Sequence, residues 1–246
     1  MMFAASVTYT AAQPQLIRSG SIEFEKKVNR YALFKKAKMP EDWYDYYTKN
    51  NQQFHTSKSA LLFSNSKTLF YPVPDHSEVD MISSNDPFPF SGQNSVVYSD
   101  LSKHSSISKK MIYGKEILIA DSLPPIKWKL TDEFRDVAGY TCRRANGLML
   151  DSVYVVAFYT NEIHFSGGPE SFNGLPGMIL EVFLPHHHVS WTALKVTPEK
   201  ISDEKLVSPV SKAKPINRQQ LKEWVAKSLK NMSTQLRELL EKGLLI

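Results

Sequence analysis

The chain has a single cysteine, Cys142, among its 246 residues, so no intramolecular disulfide can form. It has no run of 18 apolar residues, which excludes a membrane-spanning helix. Charge of one sign is not concentrated either. The formal net charge is +5, with Lys103, Lys109, Lys110, Lys115, Lys127 and Lys129 distributed among strand-like runs. No basic helix interleaved with aromatics occurs, which argues against a nucleic-acid partner. Gly-x-Ser-x-Gly, P-loop and Gly-x-Gly-x-x-Gly patterns are absent, which removes the common hydrolase and nucleotide signals. What is present, 42% hydrophobic and 11% aromatic residues beside 22% charged ones, suffices for a soluble domain with a large core.

The patterning is that of strands. Residues 16–36 read as an entry strand with its continuation (Ile17, Ile22, Phe24, then Val28, Tyr31, Leu33). Pro40 opens a short helix whose apolar face would comprise Trp43, Tyr46, Tyr47 and Phe54. Two strands flank Asn65-Ser66, a hairpin signal. Residues 74–92, rich in Pro, Ser, Asp and Asn, form the longest expected loop, with aromatics exposed as a lid or contact patch. From residue 94 to 197, apolar runs recur about every ten residues, as in an antiparallel meander. A C-terminal amphipathic helix is expected over 217–242, capped by Asn217 and stopped by Gly243. The fold expected is mainly β: a strongly curved antiparallel sheet of about ten strands, or a half-open barrel, with that helix against it. Met1–Gln13 is apolar and small, and Thr10-Ala11-Ala12 looks like the end of a secretory signal. Residues 1–12 then read as a truncated signal-peptide remnant or a disordered tail, and 13–246 as a single domain.

The stretch Phe172–Val182, FNGLPGMILEV, is the most specific. Gly174 and Gly177 can take φ > 0, and Pro176 fixes φ between them, so Leu175 sits on a rigid turn feeding a buried strand from Met178. The word resembles the name motif of the GLPGLI family, bacterial envelope proteins of largely unknown function. Four further motifs run in the same order: Gly20-Ser-Ile-Glu-Phe-Glu25; Asp121 with Ile126-Lys-Trp-Lys129; Gly139-Tyr-Thr-Cys-Arg-Arg-Ala145; and Phe158-Tyr-Thr-Asn-Glu-Ile163 before Gly168-Pro169. Met178 departs from the family's Leu, a volume-conserving swap. The resemblance implies an exported protein, periplasmic or secreted, and brings no established activity.

Candidate chemistry is sparse. His186-His187-His188 is the one metal-like cluster; in a strand, His186 and His188 would share a face and suit Zn or Cu, whereas in a turn they are a solvated tip. Cys142 is a buried hydrophobe unless a base such as His164 holds its thiolate. Glu162 and Glu181 are possible paired carboxylates. The motif turn, Gly174 to Met178, is either a tight connection packing Leu175 or a rigid lip on a ligand cavity. Trp128, Tyr140, Phe158 and Trp191 would suit an acyl chain or peptide on a concave sheet. The leading expectation is a non-catalytic envelope protein without a cofactor, binding an apolar small molecule, lipid or peptide, or another envelope protein. The alternatives are a metal-handling protein using His186 and His188, and a hydrolase of unknown class.

Overall fold

The computed structural model describes residues 16–74, 88, 95–112 and 114–246. The expected signal remnant and all of the 74–92 loop except Pro74 and Phe88 lie outside these residues. Phe88 is fully buried, with its ring 5.3 Å edge-on from Phe34, rather than exposed.

Among the described residues eleven antiparallel strands form one open sheet. They are β1 Gly20–Asn29, β2 Phe54–Ser64, β3 Lys67–Val73, β4 Val96–Asp100, β5 Ser105–Ile112 and β6 Lys115–Ser122. The second half holds β7 Lys127–Val137, β8 Tyr140–Met149, β9 Val153–Thr160, β10 Met178–Leu184 and β11 Val189–Pro198. The spatial order is β6-β5-β4-β3-β2-β1-β11-β10-β9-β8-β7. Two meanders therefore run outward from a shared seam, β1 against β11, where Lys26 lies opposite Trp191 and Val28 opposite Val189. The Asn65-Ser66 turn has φ of +49° and +63°, the primed geometry whose twist matches its strands.

One link sets the shape. β6 and β7 are the two edges of the sheet, yet only residues 123–126 join them. Such a link spans at most about 18 Å, whereas ten flat interstrand steps span about 48 Å. The sheet must therefore bend until those edge ends approach each other. The inner face collects Ile22, Phe24 and Val28 of β1, Leu61 and Phe63 of β2, and Phe70 of β3, all fully buried. The connection between β9 and β10 folds into this concavity. Phe165 packs on Phe63 at 5.4 Å, Phe172 on Trp191 at 5.7 Å, and Leu175 is buried.

Among the described residues four α-helices complete the fold: α1 Arg30–Lys36, α2 Glu41–Asn50, α3 Arg218–Ser228 and α4 Thr234–Leu245. Three expectations change. The entry strand stops at Asn29, whose side chain accepts from Ala32 N at 3.1 Å and caps α1, so Tyr31 and Leu33 are helical. No residue of α2 is buried: Trp43 and Tyr46 are exposed, Tyr47 stacks on Phe34 at 4.2 Å, and Phe54 belongs to β2. The C-terminal helix is two helices. Asn217 caps α3 with Gln220 as a capping box, but Ser233 accepts from Leu236 N and starts α4. Gly243 lies buried inside α4 instead of ending it.

The motif glycines serve different ends. Gly174 has φ +92° and open space around it apart from Trp128. Gly177 does not enter the left-handed region; a Cβ there would stand 2.1 Å from the Thr160 carbonyl oxygen. Gly177→Ala should therefore destabilise by roughly 1–3 kcal/mol, the range for forced overpacking. Gly174→Ala should cost nearer ~1 kcal/mol, the left-handed penalty. Urea unfolding of both variants checks the order, and equal losses would show that backbone crowding at Gly177 is relieved.

Candidate functional site

The concave interior holds charge. β1 alternates strictly, so Lys26 falls on the inward row of Ile22, Phe24 and Val28 and is only 4% exposed. The register sets Ser57 on one side of it and Trp191 on the other, with Lys26 Nζ 5.3 Å from the indole centroid. The same register row continues through Val182, Ala157 and Ala145. β5 contributes Lys110 from the far side of the bend, five strands from β11. The β9–β10 connection contributes Glu170, 5% exposed and at φ +50°. A left-handed non-glycine residue carries strain of about 1–2 kcal/mol, and such strain clusters at functional sites.

These groups, with His187 and Leu244 of α4, line a cavity of about 40 Å³, room for a few water-sized groups. Burial pushes the Lys26 ammonium down to about 8; Glu170 opposes that shift and Lys110 adds to it. Lys110 is pushed down as well, by burial, against the pull of Glu170. Trp191 Nε1 is buried and has no hydrogen-bond acceptor among the described residues.

The four aromatics expected to form one wall divide between two faces. Trp191 faces the interior. Trp128 does too, crossing Gly147 and donating from Nε1 to Asn173 O at 2.9 Å, where it clamps the motif loop. Phe158 lies opposite Glu181, which in turn lies opposite Thr192, so its row is on the outer face. There the Arg135 guanidinium covers the Phe158 ring at 4.2 Å and pairs with the buried Glu181, whose Oε1 accepts from Thr192 Oγ1 at 2.9 Å. Tyr140 is half-buried on β8, its phenol pushed up by burial and by Glu162. A shallow outer groove of about 580 Å³ runs past Phe158, Phe183 and His188. Two of its arginines are paired, Arg135 with Glu181 and Arg144 with Glu133 at 2.6 Å, and Lys27 Nζ lies 4.4 Å over the Phe54 ring.

The histidines do not share a strand face. Pro185 starts a single 3₁₀ turn, Pro185–His187, that leaves His186 exposed and His188 half-buried at φ +51°. Residues three apart eclipse in such a turn, so His187 follows Leu184 inward. Among the described residues no three His, Cys, Asp or Glu side chains converge as a metal site. Cys142 is buried, its thiol pushed up to about 12 chiefly by burial and then by Glu162. His164 is exposed, its Nδ1 2.9 Å from Asn161 O. Sequence reasoning missed Lys26, Lys110 and Glu170, and took His187 only as a member of the histidine cluster. The alternation of β1 was a sufficient signal for Lys26 alone.

Fold and interior define a class: an open, bent antiparallel sheet filled by its own loop and helices around a small charged cavity. Among the described residues no helix is long and apolar enough to cross a membrane. A family model described as a protein of unknown function (Porph_ging) matches residues 147–181, the stretch that carries Glu170 and the motif turn. No curated protein sequence matches the chain. The solved structure of PNGF-II in space group P21 is similar at 16% identity and TM-score 0.50, over 86% of this chain and 34% of that one. The C2 form gives 13% identity and TM-score 0.49, over 92% and 33%. The chain thus spans about a third of PNGF-II, and the likeness is one of fold.

Two outcomes follow from the buried titratable groups. The His187 imidazole is pushed down to about 4, first by burial and then by Lys36 and Lys242. The unfolded imidazole, near 6.5, binds a proton that the folded one refuses until about pH 4. Its contribution is thus full above pH ~6.5 and falls as acid is added, by on the order of 3 kcal/mol across the window. Urea titrations at pH 7 and 4.5 should show a smaller acid loss in His187→Gln than in wild type; identical losses would refute a neutral buried imidazole. Cys142 should resist iodoacetamide at pH 8 in the native state and react fully in denaturant, read by mass spectrometry.

Proposed function

We propose that the chain is a non-catalytic binding protein of the bacterial envelope, exported and kin to the GLPGLI proteins, that takes an apolar ligand on the concave face of a sheet curved as a half-open barrel. The observation that carries this reading is how α4 is held. Leu239, Leu240 and Leu244 are buried in the core, yet among the described residues the polar contacts of α4 stay within the helix and its cap, as in Arg237–Glu241. An apolar occupant held by burial alone is exchangeable for another apolar occupant, because the hydrophobic effect is non-directional. The five ordered motifs and the signal-like residues 10–12 support export. The raised Cys142 thiol and the Glu181 carboxylate held by Arg135 support a binding rather than a catalytic role. No observation favours the metal or hydrolase alternatives.

An environment-sensitive apolar fluorophore should bind the full chain. Leu244→Ala, which loosens α4 without touching the sheet, should tighten that binding several-fold. Absence of binding by both proteins would overturn the reading. Fractionation of the native host should place the protein outside the cytoplasm, and a cytoplasmic pool would overturn export.

A further inference from the structure

We propose that the corner formed by α1, α2 and the 185–188 turn docks on an anionic lipid bilayer, with its lysines on the head groups and Trp43 and Tyr46 in the interface. The surface lies on the helices and needs nothing from the concave face.

Charge that the sequence scatters is gathered here by the fold. From Lys27 to Pro40 the chain holds Lys27, Arg30, Lys35, Lys36 and Lys38 and no acidic residue. Lys35, Lys36 and Lys38 are exposed at the C-terminal end of α1, the end of a helix that favours cations. α4 brings Lys242 to Lys36, and the 3₁₀ turn brings His186 and His188. Burial and then Lys242 push the Lys36 ammonium down; burial, Lys36 and His186 push the His188 imidazole down. Lys35, Lys36, Lys38 and Lys242 form no ion pair with any described residue. Basic groups gathered without acids repel one another, and an anionic surface relieves that repulsion.

The aromatic half lies beside it. α2 presents Trp43, 59% exposed, and Tyr46, 72% exposed, one helical turn apart. Tyr44 and Tyr47 instead pack on Tyr31 and Phe34 of α1, and Lys35 Nζ lies 5.3 Å from the Tyr44 ring, which joins the aromatic helix to the basic one. At about 100° per residue, Glu41, Asp42 and Asp45 fall on a different flank of α2 from Trp43 and Tyr46. Glu41 and Asp42 complement the helix N-terminus there. Trp and Tyr carry an apolar ring and a polar tip, the combination that suits the head-group layer. An acidic soluble partner would satisfy the lysines alone; the exposed rings select a bilayer.

The full chain is sedimented with vesicles of phosphatidylcholine, alone or mixed with phosphatidylglycerol, while tryptophan emission is followed. It should pellet with the mixed vesicles at ~0.1 M salt and stay in solution with phosphatidylcholine alone. It should be released at ~1 M salt, where screening is about threefold shorter in range. Emission should shift to the blue on binding. Trp43→Ala should abolish that shift and weaken binding several-fold. Lys36→Gln and Lys38→Gln should each weaken it about fivefold, the scale of one surface lysine, whereas Lys129→Gln on β7 should leave it unchanged. No pelleting with the mixed vesicles would overturn the proposal. Equal losses from Lys129→Gln and Lys36→Gln would show adhesion by net charge alone and overturn it too. Polyglutamate bound as tightly as the vesicles, with emission unmoved, would assign the corner to an acidic protein instead. A blue shift retained in Trp43→Ala would mark lipid taken up elsewhere, on the concave face, and would also sink the docking surface.

Discussion

Pairing of β1 with β11 joins two meanders that would otherwise be separate sheets, and the short 123–126 link forces the far edges of the joined sheet to approach. Everything inside follows from that bend. A flat sheet with this strand order would put Lys110 of β5 about 24 Å from Trp191 of β11. Bent, it brings both to one cavity. The seam has to be strong, because it is formed last in sequence and carries the bend. It runs nearly the full length of both strands, with an irregularity between Glu23 and Phe24 that adds local twist.

A bent sheet creates an interior that its own strands cannot fill. The β9–β10 connection does much of this work, and its glycines mark where backbone must pass close to its neighbours. Gly177 lies against the Thr160 carbonyl, and Gly168 against Ile179, where an added Cβ would come within 2.8 Å. The motif is therefore a structural device: it lets the connection that carries the buried Glu170 enter the same cavity as Lys26 and Lys110.

Most of the strand pattern was legible because period-2 alternation and turn residues are local signals. Asn65-Ser66 and the runs at 153–159 and 178–184 needed nothing else. Element ends were less so. Asn29 is a helix cap only because the chain must leave the sheet there, and Ser233 splits a continuous-looking apolar stripe into two helices by capping the second. The site was less legible still. Lys26 occupies a position that alternation marks as inward, but a lysine between Glu25 and Lys27 reads as solvated when only composition is weighed. Glu170 and Lys110 lie 60 residues apart in sequence, so nothing local joins them. His187 turned inward because Pro185 replaced a strand period with a 3₁₀ one.

The anchoring of α3 has a further consequence. Arg218 N donates to Asp121 Oδ2 at 2.8 Å, and the Ile216 backbone bridges the β6 edge. The first helix is thereby fastened to the sheet, and the five residues from Leu229 to Ser233 connect it to α4. A helix on so short a tether stays near its seat at millimolar effective concentration or above. Any local opening of α4 is therefore answered by an intramolecular return, whose rate does not depend on how dilute the protein is.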